Sequence, residues 1–273
     1  MNAVHPTASE GHGLQNAVLS VWVWSVLALW LVLLCPMMAI VWCLTRPFDP
    51  GVYLCGRMFR WSGIITNWVN PLWRFRTSGR RITDPRRPYI VVANHESFVD
   101  ILLISHLPWE MKWLSKVELT RLPVLGWNMR MAGDIPVERG TRKSAILAMR
   151  ACADVLRTRK VSVMIFPEGT RSDTADLLPF KDGAFRLAVE TGCPILPLVV
   201  SGSRDALQKG SWRFGRSDAE VRVLEPVEVT GLVPADVPAL RERVRLQIEQ
   251  TRDAMRRSTG SGTVGSSGAT PHA

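Results

Sequence analysis

A short strand that ends in a polar turn constrains the fold of this chain most strongly. Residues 89–93 (YIVVA) are apolar and β-favouring, which predicts a buried strand. The run stops at Asn94 and His95, and a second apolar segment, residues 98–107, has the pattern of a helix. A strand followed directly by a helix is the repeating unit of α/β sheets, whose sites lie at the carboxyl ends of the strands. We therefore predict an α/β domain with a polar cluster at this turn.

His95 and Asp100 are the residues of this turn that can carry chemistry. On one continuous helix a spacing of five residues turns two side chains about 140° apart, so they meet only if His95 lies in the turn and Asp100 in the first helical turn. A carboxylate on one imidazole nitrogen fixes the tautomer and leaves the other nitrogen basic. The alternative is structural. Residues 97–100 fit a capping box, in which Asp100 satisfies backbone N–H groups and His95 is an ordinary loop residue.

The charge and the cysteines limit the classes of partner and site. With 34 Lys and Arg against 24 Asp and Glu, the formal charge is +10, which favours an anionic partner such as a phosphate-bearing substrate, an acidic membrane or nucleic acid. The sequence lacks the aromatic-and-basic repeats of RNA-binding modules, so we do not expect nucleic acid. The five cysteines are scattered without a CxxC pair, which predicts neither a disulfide framework nor a zinc site.

The amino-terminal quarter of the chain predicts membrane attachment. Residues 17–44 contain no charged residue, and this run exceeds the roughly 20 residues that cross a bilayer. Arginines follow the run and none precedes it, which argues against a secretory signal and places the downstream chain in the cytoplasm. Pro36 predicts a kink or a turn, so the segment either spans the membrane or dips in and returns. Residues 51–75 mix tryptophans with arginines, which favours a helix in the headgroup region, with packing on the soluble domain as the alternative.

The remaining chain predicts one folded domain. We expect disordered tails at residues 1–16 and 258–273, an anchor with interfacial helices at residues 17–76 and a catalytic domain at residues 77–257. The fold class is a mixed central sheet flanked by helices, preceded by the apolar helical anchor. Further strands are predicted at residues 161–166, 195–200 and 220–224, and further helices at residues 141–160, 183–191 and 239–257.

Two more segments place polar side chains at the ends of predicted strands. In FPEGTRS (residues 166–172), a proline and a glycine sharpen the turn from which Glu168, Thr170 and Arg171 project. The segment GDIPVER ends on Arg139, whose guanidinium suits bidentate binding of phosphate. Either segment alone is a weak signal, because an arginine at the end of a strand is usually solvated.

In this order, the segments resemble those of the 1-acyl-sn-glycerol-3-phosphate acyltransferase family, the lysophospholipid acyltransferases marked by an H-x4-D box. Asn94-His95 with Asp100 matches the first family block, GDIPVER the second, FPEGTRS the third and PILP (residues 194–197) the fourth. Pro136 stands in the second block where an aromatic or aliphatic residue is more usual. The resemblance covers about residues 89–201 and the apolar amino terminus, and it implies a glycerolipid acyltransferase-like fold.

The resemblance also implies a mechanism and a set of site residues. His95, oriented by Asp100, would take the proton of the sn-2 hydroxyl of 1-acyl-glycerol-3-phosphate, which attacks an acyl thioester to give phosphatidic acid. Lys116 and Arg139 are implied to hold the acceptor phosphate. The residues implied to shape the acceptor pocket are Glu168, Gly169, Thr170 and Arg171. No acyl-enzyme, metal or cofactor is expected, and Ser97 is interpreted as a helix cap.

The implied partners are lysophosphatidic acid, an acyl thioester of coenzyme A or of acyl carrier protein, and the membrane surface. The catalytic domain is expected on the cytoplasmic face of a bacterial-type inner membrane. Two alternatives stay open. One is an acyltransferase on another acceptor, such as an ornithine-containing lysolipid or glycerol-3-phosphate, and the other is a non-catalytic basic module that binds anionic lipid or nucleic acid. The H-x4-D box argues against a pure binding module, because binding needs no oriented base.

Overall fold

The fold is built on one sheet, as the alternating apolar segments predict. The computed structural model describes residues 8–84, 86–138, 140–172, 174 and 176–261. Within these ranges the strands are Trp73–Gly79 (β1), Ile90–Ala93 (β2), Met111–Lys116 (β3), Ile135–Val137 (β4), Ser162–Ile165 (β5), Ile195–Ser201 (β6) and Ser217–Val223 (β7). They form a seven-stranded sheet in the order β1-β7-β6-β2-β5-β3-β4.

Helices cover both faces of the sheet. They are Ala8–Thr45 (α1), Tyr53–Trp68 (α2), Asp100–Ile104 (α3), Val117–Thr120 (α4), Leu125–Ala132 (α5), Arg142–Asp154 (α6), Gly183–Thr191 (α7) and Val237–Ser261 (α8). Because side chains alternate along a strand, Ile90 and Val92 of β2 enter a core shared with α6, α7 and α8, while Val91 and Ala93 enter a second core with α3. The predicted mixed α/β class is confirmed.

The direction of the strands decides where a site can form. β2, β3, β4, β5 and β6 are mutually parallel, and β7 runs antiparallel to β6 with β1 parallel to β7. The carboxyl ends of the five parallel strands therefore lie along one edge of the sheet. His95, Lys116 and Glu168 all follow or end these strands, so chain segments far apart in sequence converge at this edge.

Helix α1 is unbroken from Ala8 to Thr45, so the chain does not turn back at Pro36. Residues 13–45 have a mean hydropathy of 2.5 over their most apolar window and are long and apolar enough to cross a membrane. One face packs on the domain, where the Trp24 ring stacks on Phe214 at 4.9 Å and Asn128 donates to the Leu31 carbonyl. The helix begins inside the stretch expected to be a disordered tail, and α8 likewise continues past residue 257 to Ser261. The other residues of the expected tails, 1–7 and 262–273, lie outside the described residues.

Helix α2 is attached to the domain by buried charges. Arg60 pairs with Asp134, and Lys112 of β3 donates to Glu110 at 3.2 Å and to the carbonyls of Val52 and Ala132. The opposite side of α2 exposes tryptophan and isoleucine side chains, and the interfacial position of this face stays a prediction. The expected domain boundary after residue 76 is wrong, because it cuts β1, which pairs with β7 from residue 73 onward.

Candidate active site

The imidazole of His95 and the carboxylate of Asp100 are in contact. His95 Nδ1 lies 2.8 Å from Asp100 Oδ2, with Asp100 fully buried and His95 only 6% exposed. His95 lies in the turn after β2 and Asp100 is the first residue of α3, as their spacing requires. Because Asp100 occupies Nδ1, the Nε2 atom is the free nitrogen of an imidazole that lines a cavity, and it makes no hydrogen bond to the described residues.

Asp100 also binds the turn itself. Its Oδ2 accepts the backbone N–H groups of Glu96 at 2.7 Å and Ser97 at 3.0 Å, and its Oδ1 accepts the Ser203 hydroxyl. Half of the predicted capping box is thus present together with the histidine contact. Ser97 Oγ donates to the Leu207 carbonyl at 2.8 Å and accepts the Val99 N–H at 3.4 Å. It accepts no N–H group of α3, which has no side-chain cap, so the interpretation of Ser97 as the helix cap is wrong.

Two other side chains fix the backbone around His95. Glu168 accepts the His95 N–H at 2.7 Å through one oxygen and the Leu178 N–H at 2.9 Å through the other. Burial raises the pKa of the Glu168 carboxyl above its usual range, and the two N–H donors partly offset this rise. Asn94 bridges β2 to β6 through two 2.8 Å hydrogen bonds with Val200. Glu168 therefore positions the turn that contains His95 from the interior, and it does not line the cavity beside His95.

The cavity beside His95 has a cationic side and an aromatic side. It measures about 250 Å³ and is lined by His95, Lys116 and Arg171 among others. The Phe166 ring stacks on the imidazole with centroids 3.9 Å apart. Lys116 is exposed and pairs with Glu118 at 3.3 Å, an ion pair that an incoming anion can replace. Three of the predicted site residues, from three different strand ends, thus meet around one volume.

The other predicted residues lie further out or elsewhere. Thr170 is exposed and does not line this cavity. Gly169 has a φ of 74°, and an added Cβ would lie 2.5 Å from Lys181 Nζ, so this position favours glycine for conformation and space. Arg139 lies outside the described residues. His106, expected to be a packed histidine, donates from Nδ1 to the Leu102 carbonyl at 2.9 Å, and burial lowers its pKa.

A second, apolar cavity adjoins the cavity beside His95. It measures about 230 Å³, lies between α1, α2, α3 and α5, and is lined by residues such as Trp24, Leu27 and Met129. The two cavities share five lining residues, Phe59, Arg60, Phe98, Ile101 and Leu119. A molecule with a polar head and a long apolar chain fits this pair of volumes, with the head near His95.

Sequence reasoning missed two residues of this site. Ser203 reaches Asp100 from the turn after β6, a contact between positions 103 residues apart. Arg256, near the end of α8, pairs with the buried Glu96 at 2.7 Å. Burial and the nearby Asp100 charge raise the pKa of Glu96, and Arg256 opposes that rise. No local pattern signals either contact, because each depends on how distant segments pack. Among the residues that the structure describes, no group of three or more His, Cys, Asp or Glu is arranged to hold a metal ion.

Comparison with known proteins agrees with this geometry. The family described as Acyltransferase matches residues 74–201. The chain is 42% identical over 173 residues to 1-acyl-sn-glycerol-3-phosphate acyltransferase alpha of Homo sapiens, covering 63% of this chain and 61% of that protein. It is 35% identical over 169 residues to 1-acyl-sn-glycerol-3-phosphate acyltransferase of Saccharomyces cerevisiae, covering 61% of this chain and 56% of that protein. The chain thus spans about three fifths of the length of the curated relatives that it matches.

A solved structure shows the same fold over most of the chain. The crystal structure of the 1-acyl-sn-glycerophosphate (LPA) acyltransferase PlsC from Thermotoga maritima superposes with a TM-score of 0.77 and 24% identity. The match covers 89% of this chain and 97% of that one, so it includes segments beyond the residues that the family profile matches.

Proposed function

We propose that this chain transfers an acyl chain from an acyl thioester to the free sn-2 hydroxyl of 1-acyl-glycerol-3-phosphate. The match of residues 74–201 to the family described as Acyltransferase and the similarity to 1-acyl-sn-glycerol-3-phosphate acyltransferase alpha support the proposal. The product is phosphatidic acid, an intermediate of phospholipid biosynthesis. The observation that carries the proposal is the 2.8 Å contact between His95 and Asp100 at a cavity that is also lined by Lys116 and Arg171. An acceptor that bears both a hydroxyl and a phosphate requires a base beside an anion site.

In the proposed mechanism, His95 is the general base. Asp100 accepts a hydrogen bond from the Nδ1–H group of His95, which leaves the lone pair on Nε2. Nε2 takes the proton of the sn-2 hydroxyl while the hydroxyl oxygen attacks the thioester carbonyl. The tetrahedral intermediate collapses with cleavage of the C–S bond, and the departing thiolate takes up the proton from His95. One ester forms and one thioester breaks. Asp100 stabilises the imidazolium that exists between the two proton transfers.

Direct transfer is proposed rather than an acyl-enzyme. A serine nucleophile needs a hydrogen bond to its base, and within the described part of the chain no serine hydroxyl donates to His95. The two serines near the dyad donate elsewhere, Ser97 to the Leu207 carbonyl and Ser203 to Asp100. The described residues that line the cavity include no cysteine.

Lys116 and Arg171 are proposed to bind the acceptor phosphate. Both line the cavity that contains His95, and both are solvent-accessible cations that carry no buried structural ion pair. A guanidinium binds two phosphate oxygens at once, whereas an ammonium acts as a point charge. Arg139 is proposed as a third cation from the sequence alone, because the family resemblance implies it. Thr170 and Gly169 are proposed to shape the rim of this site.

The apolar cavity is proposed to receive an acyl chain. Its walls come from α1 and α2 as well as from the domain, so a lipid held there contacts the segment that is proposed to anchor the protein. The outer face of α1 exposes Leu29, Leu33 and Ile40, among other apolar residues. We propose that this face is embedded in a membrane of the bacterial inner type, with the domain on the cytoplasmic side because arginines follow the helix.

The test is a panel of acceptors. Membranes containing the full-length protein are incubated with labelled acyl coenzyme A or acyl carrier protein and, in turn, lysophosphatidic acid, an ornithine-containing lysolipid and glycerol-3-phosphate. We expect phosphatidic acid from lysophosphatidic acid, with no added cofactor. A product from another acceptor alone would replace the proposed substrate. Lipid binding without any product would favour the basic binding module, against which the oriented base of His95 argues.

A further inference from the structure

A groove of about 660 Å³ lies between α6 and α7, outside the catalytic cavity. Its rim carries four arginines, and its floor is apolar, formed by Ala145, Met149, Ala153 and Leu187. Two of the rim arginines are paired, Arg157 with Glu190 and Arg186 with Asp182. The other two, Arg142 and Arg150, are exposed and form no ion pair with the described residues. The two carboxylates that line the groove, Asp154 and Glu190, pair with Arg159 and Arg157. The groove thus presents two guanidinium groups that form no ion pair with the described residues, above an apolar floor.

Helix α6 and the π-helical turn that follows it at Val155–Arg159 form one wall of the groove, and this segment is strongly basic. Residues 142–160 contain six Lys and Arg, and Asp154 is their single acidic residue. Arg142 and Arg150 are eight residues apart, so their positions along the helix differ by about 12 Å. A ligand with anionic groups at two separated points fits this spacing, and the surrounding excess of positive charge favours its approach.

A third cavity lies between the groove and the cavity of His95 and shares lining residues with both. This cavity of about 390 Å³ shares Arg142, Ala145, Met149 and Gly183 with the groove. That cavity is also lined by Leu114 and Phe166, which line the cavity of His95. The Phe166 ring lies directly on the imidazole. Three adjoining cavities that share lining residues therefore lead from the rim arginines to the proposed base.

We propose that this groove binds the nucleotide end of an acyl coenzyme A donor. The adenine ring lies on the apolar floor, and Arg142 and Arg150 bind the phosphates. The pantetheine arm follows the connecting cavity toward Phe166, which brings the thioester to His95. This inference rests on the proposed function, because it identifies the class of acyl donor that the same site uses.

The shape of the groove favours a nucleotide over a docked protein. Its volume lies in the range of small-ligand clefts, about 300–1,000 Å³, and its apolar floor is recessed between two helices. An acidic carrier protein instead needs a face of about 800 Å² on each partner. Guanidinium groups at the rim of a recess can chelate phosphates, which is the recognition that a nucleotide diphosphate offers.

The experiment uses adenosine 3′,5′-bisphosphate, the nucleotide end of coenzyme A, as the probe. Its binding to the full-length protein in detergent is measured by calorimetry, without turnover. We expect Arg150→Glu and Arg142→Glu each to weaken binding, and to raise the KM for acyl coenzyme A, by about tenfold or more. With S-acyl pantetheine, which has no nucleotide, the variants should match the wild type. Arg243→Glu, on an exposed position of α8, is the matched control and should change neither quantity.

Two results overturn the proposal. One is nucleotide binding that is equal in Arg150→Glu and in the wild type. The other is an absence of nucleotide binding combined with a KM for acyl carrier protein that rises in Arg150→Glu, which makes the groove a protein-docking site. Arginine-dependent nucleotide binding without acyl transfer to any acceptor supports the groove site and overturns the proposed function instead. Thermal melting of each variant confirms that it is folded.

Discussion

Replacing Asp100 with asparagine separates the two roles that the structure gives this residue. The amide oxygen can take the place of Oδ2, where it accepts from His95, Glu96 and Ser97. The amide nitrogen then faces the Ser203 hydroxyl, which can rotate to accept instead of donate. All the contacts of Asp100 keep a partner, so we expect Asp100→Asn to cost about 1 kcal/mol of stability and the fold to persist.

The catalytic cost of the same change should be much larger. Asparagine removes the negative charge that stabilises the imidazolium, and a hydrogen bond to a charged group exceeds a neutral one by about 1–1.5 kcal/mol, or about tenfold in rate. The carboxylate of Asp100 is fully buried, which increases the loss. The corresponding change in serine proteases costs about 10⁴-fold because the wrong tautomer forms there, which sets an upper bound for a site where the amide oxygen keeps the Nδ1–H hydrogen bond. We expect kcat to fall by about 10²- to 10⁴-fold.

The assay is the steady-state rate of phosphatidic acid formation in detergent micelles, together with thermal melting. Ser203→Ala is the control, because it removes one neutral donor to Asp100 and leaves the charge. It should lower kcat by about tenfold or less. His95→Ala should cost at least as much as Asp100→Asn, and the double variant little more, because the pair acts as a unit. A folded Asp100→Asn protein with kcat within about threefold of the wild type would refute the dyad and leave Asp100 as a turn-stabilising residue.

Three further predictions concern the phosphate site, the pair of Glu96 and Arg256, and the outer face of α1. Lys116→Ala and Arg171→Ala should each raise the KM for the phosphate-bearing acceptor by about tenfold or more, because each removes a charge-assisted contact. The KM for the acyl donor should change little. An unchanged acceptor KM would exclude that residue from the phosphate site. Arg256→Gln should lower kcat by about tenfold, since it removes the arginine that pairs with the buried Glu96 carboxylate. Glu96→Gln combined with Arg256→Gln should recover much of the loss. A double variant as slow as Arg256→Gln would show that the unpaired Glu96 charge is not the cause. Changing Leu29, Leu33 and Ile40 together to Gln should shift the protein from the membrane fraction to the soluble fraction in flotation. The control changes two exposed apolar residues outside α1, Leu147→Gln with Val233→Gln, and should leave the protein in the membrane fraction. Equal flotation of both variants would contradict the anchoring face of α1.

The sequence predicted best those elements whose patterns are local. The apolar runs of β2 and β5 end in polar turns, and α7 ends where Gly192 adopts a φ of 69°. These segments need no distant partner to be recognised, because periodicity, turn residues and glycine conformation act within a few positions. The spacing of His95 and Asp100 belongs to the same class, since one turn of chain decides whether they meet.

The elements that the sequence did not predict depend on distant partners. Strand β3 contains Lys112, a charge that argues against a buried strand until Glu110 and two backbone carbonyls supply its partners. Strand β1 carries exposed arginines that resemble a linker, and only its pairing with β7 makes it a strand. Ser203 and Arg256 reach the site from segments whose positions are set by packing of the whole domain. Local reasoning has no access to such contacts.

The release of thiol from an acyl thioester tests direct transfer by His95 most directly. Full-length wild-type protein and His95→Ala are mixed with labelled acyl coenzyme A, with and without lysophosphatidic acid, and free thiol, phosphatidic acid and protein-bound label are measured together. Direct attack predicts thiol release only when both the acceptor and His95 are present, with one phosphatidic acid for each thiol and no label on the protein. A burst of thiol with labelled protein in the absence of acceptor would contradict direct transfer. Undiminished thiol release by His95→Ala would contradict the role of His95.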